Sequence, residues 1–200
     1  MLICFTGLHA AGKSYFVNKV PQMFGFKVYD KKEIVKSLYY KETGKTDDEW
    51  NKWFGQKFEE NPEAIIREIL GCMPQDEDII LDAVHSNLEW ELIHQIMPNS
   101  HLAVFITPKH LREERWEKRE ESQRPMDKYD QSRLKYWHNP KAESRCLLEH
   151  TSWSFNGAAS DELNIESFWQ FISYCKEEEK EIEREKSNNP VLTLRMKKDK

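Results

Sequence analysis

Eight consecutive residues near the start of the chain have the types and spacing of a phosphate-binding loop (P-loop, residues 7–14). They read Gly7-Leu8-His9-Ala10-Ala11-Gly12-Lys13-Ser14 and match the pattern G-x-x-x-x-G-K-[ST] at every fixed position. The two glycines permit backbone angles and close approaches that a side chain would block, so successive N–H groups can turn toward an anion. Lys13 would reach the outer phosphates of a nucleotide, and the Ser14 hydroxyl would bind Mg²⁺. The pattern therefore predicts a site for a nucleoside triphosphate with Mg²⁺.

Two aspartates stand where short apolar segments end. Asp82 closes the run Ile79-Ile80-Leu81, which is typical of a strand buried on both faces. Beside a P-loop strand, Asp82 would lie near Mg²⁺ and its waters; the alternative is an aspartate that caps a loop. Asp30 follows the predicted strand 26–29. Its carboxylate could orient or deprotonate an acceptor hydroxyl, or it could be the N-cap of a helix that begins at Lys31, and both readings stay open.

Three arginines share one face of a polar helix predicted over residues 112–121. Arg112, Arg115 and Arg119 follow i, i+3, i+7 spacing, and Arg124 lies in the next loop. A guanidinium donates two parallel hydrogen bonds and keeps its charge, which suits phosphate recognition. Interleaved glutamates would also suit a solvated, salt-bridged helix. In a chain with a P-loop, the spacing favours a phosphate clamp.

Apolar segments that alternate with helical patterns must position these residues. Strands are predicted at residues 2–6, 26–29, 79–84, 102–107 and 152–156. Helices are predicted at 12–23, 31–40, 47–70 (divided near Pro62), 88–97, 112–121 and 165–186. Alternation of this kind predicts an α/β three-layer sandwich with a central parallel five-stranded sheet, whose carboxyl edge receives ligands.

The predicted domain organisation is a single domain over residues 1–186. A helical acceptor-binding insertion would occupy about 31–70, and a short, polar, mobile lid about 112–139. The polar tail at 187–200 is expected to be flexible.

Composition excludes several classes of protein. Among 200 residues, 30 Lys and Arg face 35 Asp and Glu, and a net charge of −5 gives no reason to expect a duplex nucleic acid partner. The longest apolar runs are far below the roughly 20 residues of a membrane span, and no secretory signal opens the chain. The four cysteines are dispersed (Cys4, Cys72, Cys146 and Cys175). Dispersed cysteines without a C-x-x-C pair predict reduced thiols and a cytoplasmic protein.

The chain resembles the P-loop nucleotide and coenzyme kinases, especially nucleoside monophosphate kinases and dephospho-CoA kinase-like proteins. The matching segments, within residues 2–175, are GLHAAGKS, a second strand ending in Asp30, IILDAVHS, TPKHLREERWEKR and WSFNG. His85 stands where related proteins often carry arginine.

The resemblance implies a P-loop NTPase-type fold and ATP-dependent, Mg²⁺-requiring phosphoryl transfer to a nucleoside monophosphate or related nucleotide or coenzyme. It implies that ATP binds the P-loop and the following Tyr15, and that Asn156 and Gly157 pack against adenine. Lys13, Asp30, Arg115 and Arg119 would be catalytic, and Arg112 and Arg124 would belong to the lid. Ser14 and Asp82 would hold Mg²⁺.

Other readings remain open. One is a nucleotide-binding switch or regulatory ATPase that acts on a protein partner; another is a kinase of nucleosides or of 5′-hydroxyl polynucleotide ends. Aromatic side chains in the insertion could stack on a nucleobase (Tyr39, Trp50, Trp53 and Phe54). The set Trp50, Trp53, Phe54 and Phe58 equally fits the buried stripe of an amphipathic helix. His9 is expected to be a loop side chain rather than a base.

Overall fold

The computed structural model describes residues 1–74, 76–118, 125–138 and 146–188. Parallel strands form the centre of its fold. Within these residues the sheet has five strands: β1 (Leu2–Gly7), β2 (Lys27–Asp30), β3 (Ile79–Asp82), β4 (Ser100–Ile106) and β5 (Thr151–Asn156). Their order is β2-β3-β1-β4-β5, and every described pairing is parallel. The predicted central five-stranded parallel sheet is confirmed.

Between and after the strands, the described part of the chain forms α-helices, some of them consecutive. They are α1 (Lys13–Val17), α2 (Val20–Met23), α3 (Lys31–Thr43), α4 (Trp50–Glu60), α5 (Pro62–Gly71), α6 (Asn87–Ile96), α7 (Lys109–Glu117), α8 (Met126–Trp137) and α9 (Asp161–Asn188). A short 3₁₀ turn at Leu147–His150 precedes β5. The predicted break at Pro62 is confirmed: Asn61 ends α4, and its side chain accepts a hydrogen bond from the backbone N–H of Ala64 at the start of α5.

Both faces of the sheet are covered, because successive side chains of a strand point in opposite directions. Leu2 and Cys4 of β1 join a core on the face covered by α3, α4, α5 and α6. Ile3 and Phe5 join the opposite core, where α1, α2 and α9 pack. This second core is rich in phenylalanine, and Phe16 of α1 lies 5.0 Å from the rings of both Phe105 and Phe155. The two cores hold β1, and therefore the loop that follows it, in the middle layer.

Two segments differ from the sequence prediction. The single helix expected over residues 12–23 is divided into α1 and α2, with Pro21 in the first turn of α2, where its missing N–H costs nothing. Residues 125–138 were expected to be mobile, yet they contain α8, anchored by the buried side chains of Met126, Asp130 and Trp137. Those three residues lie on one side of a helix whose other positions are mostly polar, so the helical period is weak in composition.

Some residues for which the sequence predicts a role or a structure lie outside the described residues. Arg119 and Arg124 lie outside them, as do residues 189–200 of the predicted tail. Helix α9 continues to Asn188, two residues past the predicted end of the domain at 186. Across the described residues, no helix is both long enough and apolar enough to pass through a membrane.

Candidate active site

The P-loop connects the carboxyl end of β1 to the first turn of α1. Gly7 pairs with Phe105 of β4, and a Cβ on Gly7 would lie 3.2 Å from the Phe105 carbonyl oxygen. Gly12 has a φ of +93°, which residues with a side chain rarely adopt, and helix α1 begins at the next residue. The whole loop, with Tyr15 and Phe16, lines a cavity of about 620 Å³, here called the loop cavity. The loop therefore has the backbone arrangement that its sequence pattern predicts.

Lys13, which lines this cavity, forms an ion pair with Asp82, which lies beside the cavity without lining it. They meet because β1 and β3 are neighbours in the sheet, with Phe5 in register with Asp82. The Lys13 ammonium contacts Asp82 Oδ1, and the two side chains are only 16% and 15% exposed. Burial lowers the pKa of Lys13 from its usual value, and Asp82 opposes this shift. The pair holds Lys13 at the place where it could meet outer phosphates.

The donors available for Mg²⁺ are the Ser14 hydroxyl and the Asp82 carboxylate. Ser14 is exposed in the first turn of α1 and lines the loop cavity. No group of three or more His, Cys, Asp or Glu side chains that could hold a metal ion occurs within the described part of the chain. Mg²⁺ in nucleotide sites usually keeps waters and takes one or two protein oxygens plus phosphate oxygens. One hydroxyl and one carboxylate beside the P-loop fit that requirement.

Arg115 reaches the loop cavity from α7. Its Nη2 donates to the Gly157 carbonyl oxygen at 2.8 Å, and its Nη1 donates to the Ala10 carbonyl oxygen at 3.4 Å. Arg115 lines the cavity, as the predicted phosphate clamp requires. The guanidinium thus bridges the P-loop to the loop after β5, and the described residues near it include no carboxylate within ion-pair distance.

Arg112, one turn earlier, points elsewhere. Its Nη1 donates to Asp130 Oδ2 of α8 at 2.5 Å and to the His9 carbonyl oxygen at 3.1 Å, and its side chain is 7% exposed. Asp130 Oδ1 in turn accepts a hydrogen bond from the backbone N–H of His9 at 3.2 Å. Arg112 and Asp130 therefore tie the tip of the P-loop to α7 and α8. This arrangement favours a positioning role for Arg112 over the predicted contact with phosphate.

Gly157 lies directly against the P-loop. A Cβ at this position would overlap the Ala11 carbonyl oxygen and the Thr107 hydroxyl, which donates to that same oxygen at 2.7 Å. Gly157 lines the loop cavity, and its packing against adenine stays a prediction. Asn156 is exposed, and its Oδ1 accepts a hydrogen bond from the Ala158 N–H at 2.9 Å; its side chain shapes the turn after β5 and does not line the loop cavity.

Tyr15 is 55% exposed at the mouth of the loop cavity. Its hydroxyl donates to Asp161 Oδ2 at 3.1 Å, which links α1 to the start of α9. The phenol ring therefore forms part of the rim where a nucleotide would leave the P-loop.

Asp30 is the N-cap of α3. Its Oδ1 accepts a hydrogen bond from the Lys32 N–H at 2.8 Å, and the residue is exposed. It is in register with Asp82 on the neighbouring strand, yet it lines neither the loop cavity nor the second cavity described next. The capping role expected as one alternative is thus present, and the catalytic role stays a prediction.

A second cavity of about 580 Å³ adjoins the loop cavity, between α4 and α8. Helix α4 contributes positions at helical spacing (Asn51, Phe54, Gly55, Phe58 and Glu59), and so does α8 (Tyr129, Ser132, Arg133 and Tyr136). The aromatic residues of the insertion divide into two groups in the structure, and their stacking on a nucleobase stays a prediction. Phe54 and Phe58 face this cavity, whereas Trp53 and Tyr39 are buried against each other, with ring centroids 5.8 Å apart. The ammonium groups of Lys32 and Lys36 lie over the ring of Trp50. Trp50 does not line the cavity.

A buried ion pair forms one wall of the second cavity. Lys31 Nζ lies 2.5 Å from Glu89 Oε1, with side chains 8% and 3% exposed. The other oxygen of Glu89 accepts a hydrogen bond from the His85 N–H at 2.9 Å. The pair fixes the start of α6 against the start of α3, beside the carboxyl end of β3.

His9, His85 and Arg133 line both cavities, so they mark the place where the two meet. The pKa of His85 lies well below its usual value, first because the ring is buried and then because Lys31, Arg133, Lys13 and His9 surround it with positive charge. The imidazole is therefore neutral near pH 7. The His9 ring packs against Tyr129 and Trp116, at centroid distances of 5.3 and 5.9 Å, as expected of a loop side chain.

Sequence analysis missed Arg133. The signal was present in α8, where Tyr129, Ser132, Arg133 and Tyr136 recur at i, i+3, i+4 and i+7. A stripe of aromatic and polar residues does not resemble a core face, so the segment was interpreted as a mobile loop.

Comparison with known proteins supports the fold. No family model matches the sequence, and no curated protein matches it either. Among solved structures, an uncharacterized protein from Eubacterium ventriosum ATCC 27560 matches with a TM-score of 0.56 at 16% identity, over 88% of this chain and 98% of that one. A shikimate kinase from Bacteroides thetaiotaomicron matches with a TM-score of 0.53 at 15% identity, over 88% and 98%. An unliganded sugar kinase from Janibacter sp. HTCC2649 matches with a TM-score of 0.52 at 14% identity, over 86% and 94%.

At these identities the likeness shows a shared fold. The chain has the α/β fold of P-loop small-molecule kinases, and the predicted fold class is confirmed. The narrower resemblance to nucleoside monophosphate and dephospho-CoA kinases stays a prediction, because the two characterised neighbours above are named for other acceptors.

Proposed function

We propose that the protein is an ATP-dependent kinase that transfers the γ-phosphoryl group of ATP to a small-molecule acceptor. The observation that carries this proposal is the meeting of two cavities at the P-loop. One contains phosphate-binding elements, the other is large enough for an acceptor, and His9, His85 and Arg133 line both. A donor and an acceptor bound in these cavities would meet at the carboxyl edge of the sheet.

On the donor side, the amides of the P-loop would surround the β- and γ-phosphates, and Lys13 would contact the outer oxygens. Arg115 enters the same cavity and would add a second cation. Ser14 and Asp82 would hold Mg²⁺, which, when bound, neutralises charge on the phosphate oxygens. Tyr15 and the loop at Gly157 would border the rest of the nucleotide.

On the acceptor side, a nucleoside monophosphate or a related nucleotide or coenzyme fits the chemistry of the second cavity. Phe54, Phe58, Tyr129 and Tyr136 offer flat faces on which a base could stack. Lys31, which pairs with Glu89, lies in the wall of this cavity and adds a cationic group that suits an anionic acceptor.

Catalysis would consist mainly of positioning and charge stabilisation. Lys13, Arg115 and the loop amides would orient the γ-phosphoryl group, and the walls of the second cavity would align the acceptor hydroxyl with it. Arg112 and Asp130 would keep the P-loop in place through the backbone of His9.

The test is ATP consumption by the purified protein with and without candidate acceptors. The panel contains nucleosides, nucleoside monophosphates, dephospho-CoA and 5′-hydroxyl oligonucleotides, together with shikimate, gluconate and simple sugars because similar folds carry those names. A Lys13→Ala preparation, purified in the same way, controls for contaminating kinases. We expect ADP to form rapidly only with one acceptor class, and nucleoside monophosphates to be that class.

Two results would contradict the proposal. Hydrolysis that no acceptor stimulates would favour a switch or regulatory ATPase, for which a protein partner would change the rate. Equal stimulation in the wild-type and Lys13→Ala preparations would assign the activity to a contaminant.

A further inference from the structure

Arg133 of α8 is partly buried, and its guanidinium has no ion-pair partner among the described residues. Its Nη1 is inaccessible to solvent and has no hydrogen-bond partner among the described residues. Burial lowers the pKa of Arg133, and the attraction of three carboxylates opposes this shift. An uncompensated buried charge is costly, so the fold retains this arginine at the expense of stability.

The three carboxylates that attract Arg133 are already paired with other cations. They are Glu89, Asp130 and Asp82. Glu89 pairs with Lys31, Asp130 with Arg112, and Asp82 with Lys13. Within the described part of the chain, none of the three lies within the 4.0 Å ion-pair distance of Arg133. These groups are four cations and three anions, and a fourth carboxylate, Asp30, acts on Lys13 but not on Arg133. None of these carboxylates is therefore left to pair with Arg133.

The position of Arg133 indicates where the missing anion would bind. It is one of the residues that line both cavities, so it lies between the P-loop and the acceptor site. His85 also lines both cavities at this junction. Glu59, the other acidic residue of the second cavity, is exposed on α4 and is not among the carboxylates that act on Arg133.

We propose that Arg133 is a catalytic residue that binds the terminal phosphoryl group of the donor nucleotide at the junction of the two cavities. This inference rests on the proposed function for the identity of the donor. The planar fork of the guanidinium can donate two hydrogen bonds to a phosphoryl group and stays charged throughout transfer. The adjacent Lys13 would contact the same phosphate from the P-loop side.

Binding measurements test this proposal without an acceptor. ADP and a non-hydrolysable ATP analogue are titrated in Mg²⁺ into the wild-type protein, Arg133→Met and the control Arg67→Met. Arg67 is an exposed arginine of α5 that pairs with Glu63. A hydrogen bond to a charged group corresponds to about 10- to 100-fold in affinity. We therefore expect Arg133→Met to bind the analogue about 10- to 100-fold more weakly while its ADP affinity is unchanged.

The melting temperature supplies an independent readout. Without ligand, Arg133→Met should melt at or above the wild-type temperature, because the substitution removes an uncompensated buried charge and keeps most of the volume. Arg67→Met should match the wild-type protein in both affinities. Arg133→Lys keeps the charge and loses the fork, and it should bind the analogue more weakly than wild type even if the methionine variant is poorly folded.

Three outcomes would overturn the proposal. The first is unchanged affinity for the analogue in both Arg133 variants. The second is an equal loss of affinity for ADP and the analogue. The third is an effect confined to the KM of the acceptor, which would place Arg133 on the acceptor alone. Failure of every acceptor in the activity screen would count against the proposed function and would leave these titrations interpretable.

Discussion

Lys13 and Asp82 show how neighbouring strands place two reactive side chains together. Each follows a buried parallel strand, and parallel strands end at the same edge of the sheet. Lys13 contacts Asp82 and lines the loop cavity, and it belongs to neither hydrophobic core. The burial that lowers its pKa also makes the lysine costly to keep, which argues that function retains it.

We therefore predict that Lys13→Ala lowers kcat by about 10²-fold or more, the effect of removing one well-placed donor from a transition state. The fold should stay intact, because Lys13 lines the loop cavity rather than the core, although Asp82 loses its ion-pair partner. The control is Lys27→Ala, which removes an exposed ion pair with Glu77 on β2. Near wild-type turnover in Lys13→Ala with an unchanged melting curve would refute the role.

The Mg²⁺ dependence of the activity should distinguish Asp82 from Asp30, which lie side by side in register on the neighbouring strands β3 and β2. Ser14→Ala and Asp82→Asn should each raise the Mg²⁺ concentration needed for half-maximal activity, because each removes an oxygen ligand of the kind Mg²⁺ prefers. Asp30→Asn should leave that concentration and kcat nearly unchanged, since asparagine is also a good N-cap and the Asp30 carboxylate accepts from the Lys32 N–H, whereas that of Asp82 contacts Lys13.

Mg²⁺ titrations of activity for the three variants provide the measurement. Curves for Asp82→Asn that superimpose on wild type would remove Asp82 from the metal site. A large loss of kcat in Asp30→Asn at saturating Mg²⁺ would instead establish the catalytic role that the sequence suggested for Asp30.

Residues of the P-loop could be predicted from sequence because their pattern is local. Eight consecutive positions specify the backbone, and Gly12 adopts the φ of +93° that its pattern requires. Arg133 could not be predicted in the same way. Its significance depends on which carboxylates other cations already occupy, and those partners come from β3, α6 and α8. No spacing along the chain carries that information.

At the scale of elements, α7 and α8 show that a polar helix can be structural. The sequence predicted a mobile lid at about 112–139, and the arginine face of α7 was its basis. The structure instead attaches α7 to α8 through the buried pair of Arg112 and Asp130. The hydrophobic pattern of the sequence did not predict α8, because few of its residues are buried and one of the buried residues is charged. The break before Pro62 was predictable, since proline cannot continue a helix that arrives from its N-terminal side.

Within α7, Arg115 serves the site more directly than Arg112. We predict that Arg115→Lys lowers kcat almost as much as Arg115→Ala, by roughly 10³-fold, because lysine keeps the charge and loses the fork. Lysine also cannot bridge the carbonyl oxygens of Gly157 and Ala10 at once. The exposed pair of Lys109 and Glu113 on the same helix offers a control, Glu113→Gln, which should leave kcat unchanged.

The measurement is kcat and melting temperature for these variants. A surface ion pair would give less than about 1 kcal/mol of lost stability and no kinetic effect. Unchanged kcat in Arg115→Lys would therefore exclude Arg115 from a role in catalysis. The parallel prediction for Arg119, which lies outside the described residues, rests on its spacing alone.

At the scale of the whole molecule, the loop cavity combines segments that lie far apart in the sequence. The P-loop follows β1, the first strand, and its far wall comes from the turn after β5, the last strand. The order β2-β3-β1-β4-β5 separates β1 from β5 by one strand, so the turn can reach across β4 to the loop. Sequence patterns predicted each strand, but the closeness of Gly157 to Ala11 follows only from their order in space.

Gly157 tests this long-range packing. A Cβ there would overlap the Ala11 carbonyl oxygen, which is backbone and cannot move without displacing the P-loop. We predict that Gly157→Ala weakens ATP binding by about 10-fold or more and lowers the melting temperature, as overpacking costs about 1–3 kcal/mol. Gly71→Ala is the matched control, because a Cβ at Gly71 meets nothing within 4 Å at the end of α5.

The measurements are the ATP affinity and the melting temperature of both variants. Gly71→Ala should bind ATP as the wild-type protein does and melt at the same or a slightly higher temperature, since alanine is the better helix former. If Gly157→Ala behaves like Gly71→Ala, the turn after β5 can move away from the loop at little cost. The position of the P-loop would then not depend on the turn after β5. A selective loss in Gly157→Ala would mean that the last strand positions the loop that follows the first.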